Sequence, residues 1–171
     1  MKVLLAIAVI LVSAVPAAVA DPAPAARARA PATAAPHTAK AVLQDYVAAW
    51  NRHDPKLLDA LLDARSVHED VPAGFSGTGP AAIKAFAAEI FKAQPDLVWR
   101  LTTIVESGST VAAEWTWTAT YTGDGPAGPV KHQRISARGS TFATVENGRI
   151  RHFIDYYDFA SAFPPPAGAA K

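Results

Sequence analysis

The stretch from Glu146 to Asp158 places a carboxylic acid, Asp155, between aromatic residues, and such an acid can be tuned for proton transfer. Asn147-Gly148 separates two runs of β-forming residues. This dipeptide is typical of a two-residue type I′ hairpin turn, because both positions tolerate positive φ. Counting outward from the turn predicts a hairpin in which Ser140 lies opposite Asp155.

Alternation along the two predicted strands sorts the hairpin side chains onto two faces. One face is predicted to carry Phe142, Phe153, Ser140, Asp155, Arg138 and Tyr157. The other is predicted to carry Val145, Ile150, Ala143, His152, Thr141, Ile154, Gly139 and Tyr156. Strand parity alone does not assign either face to the interior.

Two interpretations of Asp155 are open at this point. In the first, Asp155 lies in an aromatic pocket, where desolvation favours the neutral form and raises the pKa of the carboxyl toward the useful range for acid/base catalysis. In the second, Asp155 forms a structural ion pair with Arg138, its diagonal cross-strand neighbour, which would lower that pKa instead.

Three other side chains are candidates for catalysis. Tyr46 lies on the apolar stripe of a predicted helix, so it is either a ligand donor or a core tyrosine bonded to a carbonyl. His68 and Asp70 share one face of a short predicted strand and could reach the mouth of a pocket. No metal site is predicted there, because two or three ligands from one strand rarely complete a coordination sphere.

Hydrophobic periodicity predicts the elements that position these residues. Helices are predicted over residues 39–52, from Asp54-Pro55 onward, and from Pro80 to Gln94. Strands are predicted over residues 66–71, 97–105 and 110–122, followed by a loop over 123–129 and the hairpin. In the long third strand Val111, Ala113, Trp115, Trp117, Ala119 and Tyr121 share one face. Helices followed by an antiparallel meander predict an α+β fold with helices covering one face of the sheet.

The first 20 residues have the pattern of an export signal. A lysine precedes an apolar run over residues 3–15, and Ala18-Val19-Ala20 is a small-x-small cleavage site. A membrane anchor is the alternative, but this run barely reaches the length of about 20 residues that a bilayer requires. We therefore expect a secreted or periplasmic protein that begins near Asp21 and keeps no stable membrane span after cleavage.

The rest of the chain reads as one domain with two flanking segments. Residues 21–37 are rich in Ala and Pro and predict a linker, residues 38–163 have the length of one domain, and residues 164–171 predict a disordered tail. The 16 basic and 15 acidic residues nearly balance, which argues against nucleic acid as a partner. The chain has no cysteine, so disulfides, thiol chemistry and cysteine-based metal sites are excluded.

Six phrases, in this order, resemble the nuclear-transport-factor-2-like superfamily, and most closely its SnoaL-like polyketide cyclase branch. They are YVAAWNRHD at 46–54, SGTGPAAIKAF at 76–86, PDL at 95–97, TWTATYTG at 116–123, RG at 138–139 and GRIRHFIDYYD at 148–158. The resemblance implies a cone-shaped, strongly curved antiparallel sheet wrapped around the N-terminal helices, an α+β barrel of cystatin-like type. It also implies a ligand pocket in the mouth of the cone.

The resemblance implies roles for some of the candidates. In SnoaL-like cyclases a carboxylate on the last strand is the acid/base, and Asp155 matches it, which turns the face of Asp155 inward. In the ketosteroid isomerase branch a helix tyrosine donates to an oxyanion, and Tyr46 matches it. That branch's base corresponds to Asp70, or else to Glu69.

At two places the sequence departs from the residues that related enzymes of this superfamily use. The isomerase's second oxyanion donor, an acid on strand four, is missing here, where Ser140 and Thr141 stand. Limonene epoxide hydrolases use an Arg and an Asp where this chain has Trp115 and Trp117, so that activity is not expected.

Two functions follow from these residues. The first is a cofactor-free cyclase or isomerase acting on an apolar, cyclic carbonyl compound, with Asp155, Tyr46, Asp70 and His68 as catalytic candidates. The second is a non-catalytic module that binds a hydrophobic ligand or a partner. Predicted ligand contacts are Trp50, Trp115, Trp117, Tyr121, Phe142, Phe153 and Tyr157, although aromatic residues at strand spacing also simply fill cores. The apolar outer face of the hairpin, with Val145, Ile150, Ile154 and Tyr156, further predicts a homodimer contact or cover by the C-terminal tail.

Overall fold

The computed structural model describes residues 37–163; the predicted export signal, the linker up to residue 36 and the tail after residue 163 lie outside the described residues. The helices are α1 (Ala39–Asn51) and α2 (Gly79–Ala93), with a 3-10 helix at Pro55–Ala60 between them. The strands are β1 (Val67–Asp70), β2 (Phe75–Thr78), β3 (Val98–Ser107), β4 (Thr110–Gly125), β5 (Gly128–Glu146) and β6 (Arg149–Tyr157). Within this range no helix has the length and apolarity needed to cross a bilayer.

Both α-helices begin and end where the sequence predicts. The Thr38 hydroxyl caps α1 by accepting from the backbone N–H of Ala41 at 3.2 Å, which satisfies one of the free amides of the first turn. α2 starts at Gly79-Pro80 and stops before Pro95, which cannot donate to a helix. The predicted second helix is instead a short 3-10 helix.

The sheet is mixed rather than wholly antiparallel, with strand order β2-β1-β6-β5-β4-β3. β1 pairs parallel with β6, so that Asp70 lies beside Asp155. β2, which the sequence analysis missed, pairs with β1 and forms one edge. The sheet therefore has two edges and is open, and its curvature rather than closure surrounds the helices; the predicted barrel is in fact an open, cone-like sheet.

The end of α1 is held against β3 by side-chain hydrogen bonds to the backbone. Asn51 accepts from the backbone N–H of Trp99 at 2.7 Å and donates to its carbonyl oxygen at 2.8 Å. The His53 ring lies 2.9 Å from the carbonyl oxygen of Leu97. These contacts fix the position of Trp99, which is buried between the helix layer and the sheet.

The hairpin turn forms as predicted, but the register beyond it is shifted. Asn147 and Gly148 both have positive φ, 52° and 73°, as a type I′ turn requires. Val145 pairs with Ile150, whereas the next pair is Thr144 with His152, so β6 contains one extra residue, a β-bulge. As a result Asp155 lies opposite Thr141, and not opposite Ser140.

This shift corrects the predicted faces of the hairpin. Val145 and Ile150, predicted to be outside, are buried in the core, because the bulge changes the parity of β6. Phe142, predicted to line the pocket, lies on the outer face and is 50% exposed. The outer face instead carries a row of apolar residues directly opposite one another on four strands: Ile154, Phe142, Ala112 and Val105. Of the four residues predicted to form a subunit contact or to lie under the C-terminal tail, Ile154 and Tyr156 are on this outer face, and the contact itself stays a prediction.

Candidate active site

A narrow cavity opens on the concave side of the sheet, between the sheet and the two helices. Its walls are Trp50, His68, Asp70, Phe86, Ile90, Leu97, Trp99, Trp115, Trp117, Asp155 and Tyr157. Its volume is about 30 Å³, enough for about two water molecules. A ligand of more than a few heavy atoms would require some of these side chains to move.

Asp155 is the most enclosed carboxyl of this cavity, with 5% of its surface exposed. Thr141, its cross-strand partner, donates its hydroxyl hydrogen to Asp155 Oδ1. The Thr141 hydroxyl in turn accepts from Trp115 Nε1 at 2.7 Å. Oδ1 of Asp155 is therefore held by Thr141, whose hydroxyl is in turn held by Trp115.

The other oxygen of Asp155 faces His68. Asp155 Oδ2 lies 3.8 Å from His68 Nε2, which is within ion-pair range but too long for a hydrogen bond. His68 Nδ1 lies 2.9 Å from the hydroxyl of Tyr46, which is fully buried. Tyr46, His68 and Asp155 thus form a line that runs from the core to the cavity.

Asp70 supplies a second carboxyl, adjacent to Asp155 on the neighbouring parallel strand. Its Oδ1 accepts from the backbone N–H of Ala73 at 3.0 Å, and its Oδ2 accepts from the Tyr157 hydroxyl at 3.2 Å. Both oxygens have donors, so the carboxyl group is held in one orientation.

Burial controls the protonation of these groups. Desolvation is the main cause that raises the pKa of Asp155 above its ordinary value, and the nearby His68 ring and the hydrogen bond from Thr141 offset part of that rise. Desolvation also raises the pKa of Asp70, with the negative charge of Asp155 adding to it. The pKa values of Tyr46 and Tyr157 are raised by burial as well, so both hydroxyls remain protonated donors at neutral pH.

The structure separates the two interpretations of Asp155 by position. Arg138 is exposed on the outer face of β5, opposite Thr116 of β4. Asp155 lies on the inner face of β6. The shifted register places these two side chains on opposite sides of the sheet, so the predicted ion pair between them is wrong.

The structure brings the four catalytic candidates together, but in different positions. Asp155, His68 and Asp70 line the cavity, whereas Tyr46 lies behind His68. The Tyr46 hydroxyl therefore contacts the imidazole, where the resemblance implied a ligand oxygen.

Of the predicted ligand contacts, Trp50, Trp115, Trp117 and Tyr157 line the cavity. The other three lie elsewhere. Phe153 is fully buried in the core against Tyr46 and His68, with ring centroids 4.8 Å apart in both cases. Tyr121 packs on Phe163 near the C-terminal end of the described chain. Phe142 is on the outer face.

Sequence reasoning missed Trp99 and Thr141. Trp99 stands on the same alternation as Leu97 and Leu101, which was a usable signal. Thr141 was assigned to the outer face because the bulge in β6 leaves no mark in the sequence. Phe86 and Ile90 of α2 and Leu97 just before β3 also form part of the cavity wall, and none of them was predicted as a ligand contact.

Side chains of the cavity wall also carry buried nitrogen atoms that have no hydrogen-bond partner in the described part of the chain. Within residues 37–163, the buried indole N–H groups of Trp50, Trp99 and Trp117 have no hydrogen-bond partner, and neither does His68 Nε2. An indole nitrogen can only donate. The unmet requirement of these three groups is therefore for a hydrogen-bond acceptor.

An open curved sheet with helices on its concave side, and acids at the cavity between them, defines the nuclear-transport-factor-2-like class of α+β domains. The sequence profile of the SnoaL-like polyketide cyclase family matches residues 40–164, most of the chain. The chain therefore belongs to the SnoaL-like polyketide cyclase family, as its sequence motifs predict. Membership supports a cyclase- or isomerase-type domain or a ligand-binding domain.

Solved structures agree on the fold. A hypothetical protein of ketosteroid isomerase-like fold from Catenulispora acidiphila, in complex with trimethylamine, is 21% identical with a TM-score of 0.63, covering 71% of this chain and 88% of its own. A SnoaL-like polyketide cyclase from Agrobacterium tumefaciens is 19% identical with a TM-score of 0.62, covering 72% and 94%. AclR from Streptomyces galilaeus, a proposed hydroxylase, is 25% identical with a TM-score of 0.58, covering 71% and 79%. No curated protein matches the sequence.

Proposed function

We propose that this domain catalyses cofactor-free proton transfer on a small carbonyl compound, in a cyclisation or isomerisation, with Asp155 as the acid/base. The observation that carries the proposal is the state of this carboxyl. Asp155 lines the cavity and is desolvated, one of its oxygens is fixed by Thr141, and the other lies 3.8 Å from His68 Nε2. A carboxyl whose pKa is raised by burial holds a transferred proton more firmly than an ordinary aspartate does, so it can both take and return a proton during a reaction.

The reaction requires two proton movements. Ionised Asp155 removes a proton from the carbon next to a carbonyl group; the C–H bond breaks, and its electron pair becomes an enolate. In an isomerisation, the enolate takes the proton back from Asp155 at another carbon. In an aldol cyclisation, the enolate carbon attacks a second carbonyl carbon, and the new alkoxide takes the proton.

Donors near the carboxyls would stabilise the enolate oxygen. A preorganised donor in a water-excluded site stabilises developing charge without reorganisation. The hydroxyl hydrogen of Tyr157, on the cavity wall, is already donated to Asp70, so it is not free for this role. The indole N–H groups of Trp50, Trp99 and Trp117 have no partner among the described residues and require an acceptor, and a carbonyl oxygen is one.

An assay that does not require the natural substrate tests this proposal. Small cyclic ketones such as cyclopentanone and cyclohexenone are incubated with the protein in D₂O, and NMR follows exchange of the protons next to the carbonyl. We expect the wild-type protein to accelerate exchange in at least one of them and Asp155→Asn to remove that acceleration. Equal rates with wild type and Asp155→Asn across the series would overturn the proposal.

A second candidate function, binding of a small alkylammonium ion without turnover, is favoured by the cavity wall. Aromatic rings attract cations within about 6 Å of their centroids. The indole rings of Trp50 and Trp99 have centroids 5.8 Å apart and planes inclined at 89°. Those of Trp99 and Trp115 have centroids 5.7 Å apart and planes inclined at 82°. Two carboxyls complete the wall, and the Catenulispora neighbour was solved with trimethylamine.

Tetramethylammonium tests this second function, because its charge does not depend on pH. We expect it to bind and change tryptophan fluorescence, with saturation, while tert-butanol, which is neutral and of similar shape, does not. Binding should also lower the pKa values of Asp70 and Asp155, since a cation favours the ionised carboxylates. A fluorescence titration in which both compounds behave alike would eliminate this candidate.

We also propose export of the protein, on the signal pattern of residues 1–20 alone. N-terminal sequencing of protein recovered outside the cytoplasm should begin near Asp21. Recovery of intact Met1 on membrane-bound protein would contradict it.

A further inference from the structure

The hydrogen bonds around Thr141 have a direction that can be assigned from chemistry alone. Trp115 Nε1 lies 2.7 Å from Thr141 Oγ1, and an indole nitrogen only donates. The Thr141 oxygen therefore accepts this bond. Its single hydrogen is left for the second contact of the hydroxyl, Asp155 Oδ1. Thr141 thus donates to Oδ1, and its hydroxyl hydrogen cannot rotate away without losing this bond.

This direction distinguishes the two oxygens of Asp155. Oδ1 accepts a hydrogen bond in every state in which the Trp115–Thr141 contact is intact. A proton on Oδ1 would face the Thr141 hydrogen and displace it. The carboxyl proton is therefore excluded from Oδ1 and sits on Oδ2, the oxygen 3.8 Å from His68 Nε2.

The opposite side of the site fixes the imidazole in the same way. The Tyr46 hydroxyl stays protonated, and its hydrogen-bond partner among the described residues is His68 Nδ1. Nδ1 of neutral His68 then accepts, so the ring hydrogen is on Nε2, on the side of Oδ2. The Nε2–H group lies 3.8 Å from Oδ2, too far for a hydrogen bond, so Oδ2 can carry the carboxyl proton without displacing a bonded donor, whereas Oδ1 cannot.

Gly139 is the residue that allows Trp115 to take this position. A Cβ atom at Gly139 would lie 2.3 Å from two ring carbons of Trp115 and 2.7 Å from the carbonyl oxygen of Tyr156. Such distances are far below van der Waals contact, and neither an indole packed in the core nor strand backbone can easily move. The ring of Trp115 is itself buried.

From these contacts we propose that Gly139, Trp115 and Thr141 are positioning residues that reserve Oδ2 of Asp155 for the exchangeable proton. That Oδ2 is the oxygen that acts on a ligand rests on the function proposed above. The hydrogen-bond arrangement itself does not depend on it.

Carbon-13 NMR of the aspartate carboxyls tests the proposal without any substrate. The Asp155 resonance is assigned by its absence in Asp155→Asn and followed from pH 3 to 9. Thr141→Val keeps the shape of the side chain but removes the donor to the ionised carboxylate. We expect the titration midpoint of Asp155 to rise by about one pH unit or more, since a hydrogen bond to a charged group contributes about 1.5–3 kcal/mol.

Three further variants separate positioning from a merely structural role. Thr141→Ser keeps the hydroxyl and should restore the wild-type midpoint. Trp115→Phe frees the hydroxyl rotor and should give a smaller upward shift. Thr144→Val, on the same strand and half-buried, should leave the midpoint unchanged. Should Thr141→Val fold poorly, the Trp115→Phe and Thr141→Ser pair still decides the question.

The outcomes distinguish this inference from the proposed function. If Thr141→Val and Trp115→Phe both titrate at Asp155 like the wild type, the positioning proposal is overturned, whatever the protein does with ketones. If the midpoints shift as expected but no ketone exchanges its protons, the positioning stands and the proposed proton transfer fails.

Discussion

Asp155→Asn is expected to reduce ketone proton exchange by at least about 100-fold, the usual size of a general acid/base contribution, without weakening the fold. The amide keeps the shape of the carboxyl. Its oxygen can still accept from Thr141, so the packing of Trp115 is preserved. What is lost is the group that takes and returns a proton.

The stability of Asp155→Asn follows from the sign of the pKa shift. Burial raises the folded-state pKa of Asp155 above the unfolded value of about 3.9, so the folded protein prefers the protonated carboxyl. The free energy of unfolding of the wild type should therefore fall as pH rises from about 4 through the folded-state pKa. Asp155→Asn removes that penalty, so its melting temperature at pH 7 should equal or exceed that of the wild type.

Asp158→Asn is the matched control, because this aspartate is exposed just after the end of the same strand. It should change neither exchange nor the pH dependence of melting. A loss of a few kcal/mol in Asp155→Asn alone would contradict our account, because such a loss is typical of breaking a buried ion pair. Full exchange activity in Asp155→Asn would contradict the proposed function while leaving the stability argument intact.

The inner faces of the long strands could be predicted where alternation is unbroken. Along β4, Val111, Ala113, Trp115 and Ala119 are buried as their spacing predicts. The helices could be predicted equally well, because Pro80 and Pro95 delimit α2 and an apolar stripe that includes Tyr46 marks α1. In these segments local chemistry and burial agree, so sequence alone suffices.

Bulges explain what the sequence could not predict. One extra residue in β6 turned Val145 and Ile150 inward and moved Thr141 to the side of Asp155. A second irregularity, in β3 after Leu101, places Val105 outside at 62% exposure, whereas unbroken alternation along the strand would place it on the same face as Trp99. A bulge changes parity without a compositional signal, so faces counted across it are assigned wrongly.

The inward position of Asp155, which the family resemblance implied, is unaffected by that shift, because the bulge lies between the turn and Phe153 and leaves the spacing from Phe153 to Tyr157 intact. The partner of Asp155 across the strand was wrong for the same reason. The parallel pairing of β1 with β6, which brings Asp70 beside Asp155, could not be predicted either, because the two strands are far apart in sequence. The site therefore depends on long-range pairing that local patterns do not encode.

Tyr46→Phe is expected to destabilise the fold by about 1–3 kcal/mol, the cost of leaving a buried polar group without its partner. The tyrosine hydroxyl and His68 Nδ1 are 2.9 Å apart and both residues are almost completely buried. Phenylalanine keeps the ring packed on Phe153 but removes the donor. Thermal or urea unfolding at pH 7 measures the loss.

The same variant should also change the tautomer of His68. With Tyr46 present, Nδ1 accepts and the ring hydrogen is on Nε2; without it, either nitrogen can carry the hydrogen. Nitrogen-15 NMR of labelled histidine separates the two forms. Ketone exchange should slow as the population with Nε2–H falls, since Asp155 then loses the N–H group that faces it.

Tyr156→Phe, on the outer face at 45% exposure, is the control and should alter none of these readouts. An unchanged melting curve together with an unchanged tautomer in Tyr46→Phe would show that the tyrosine only fills space, and the line from Tyr46 through His68 to Asp155 would then carry no function.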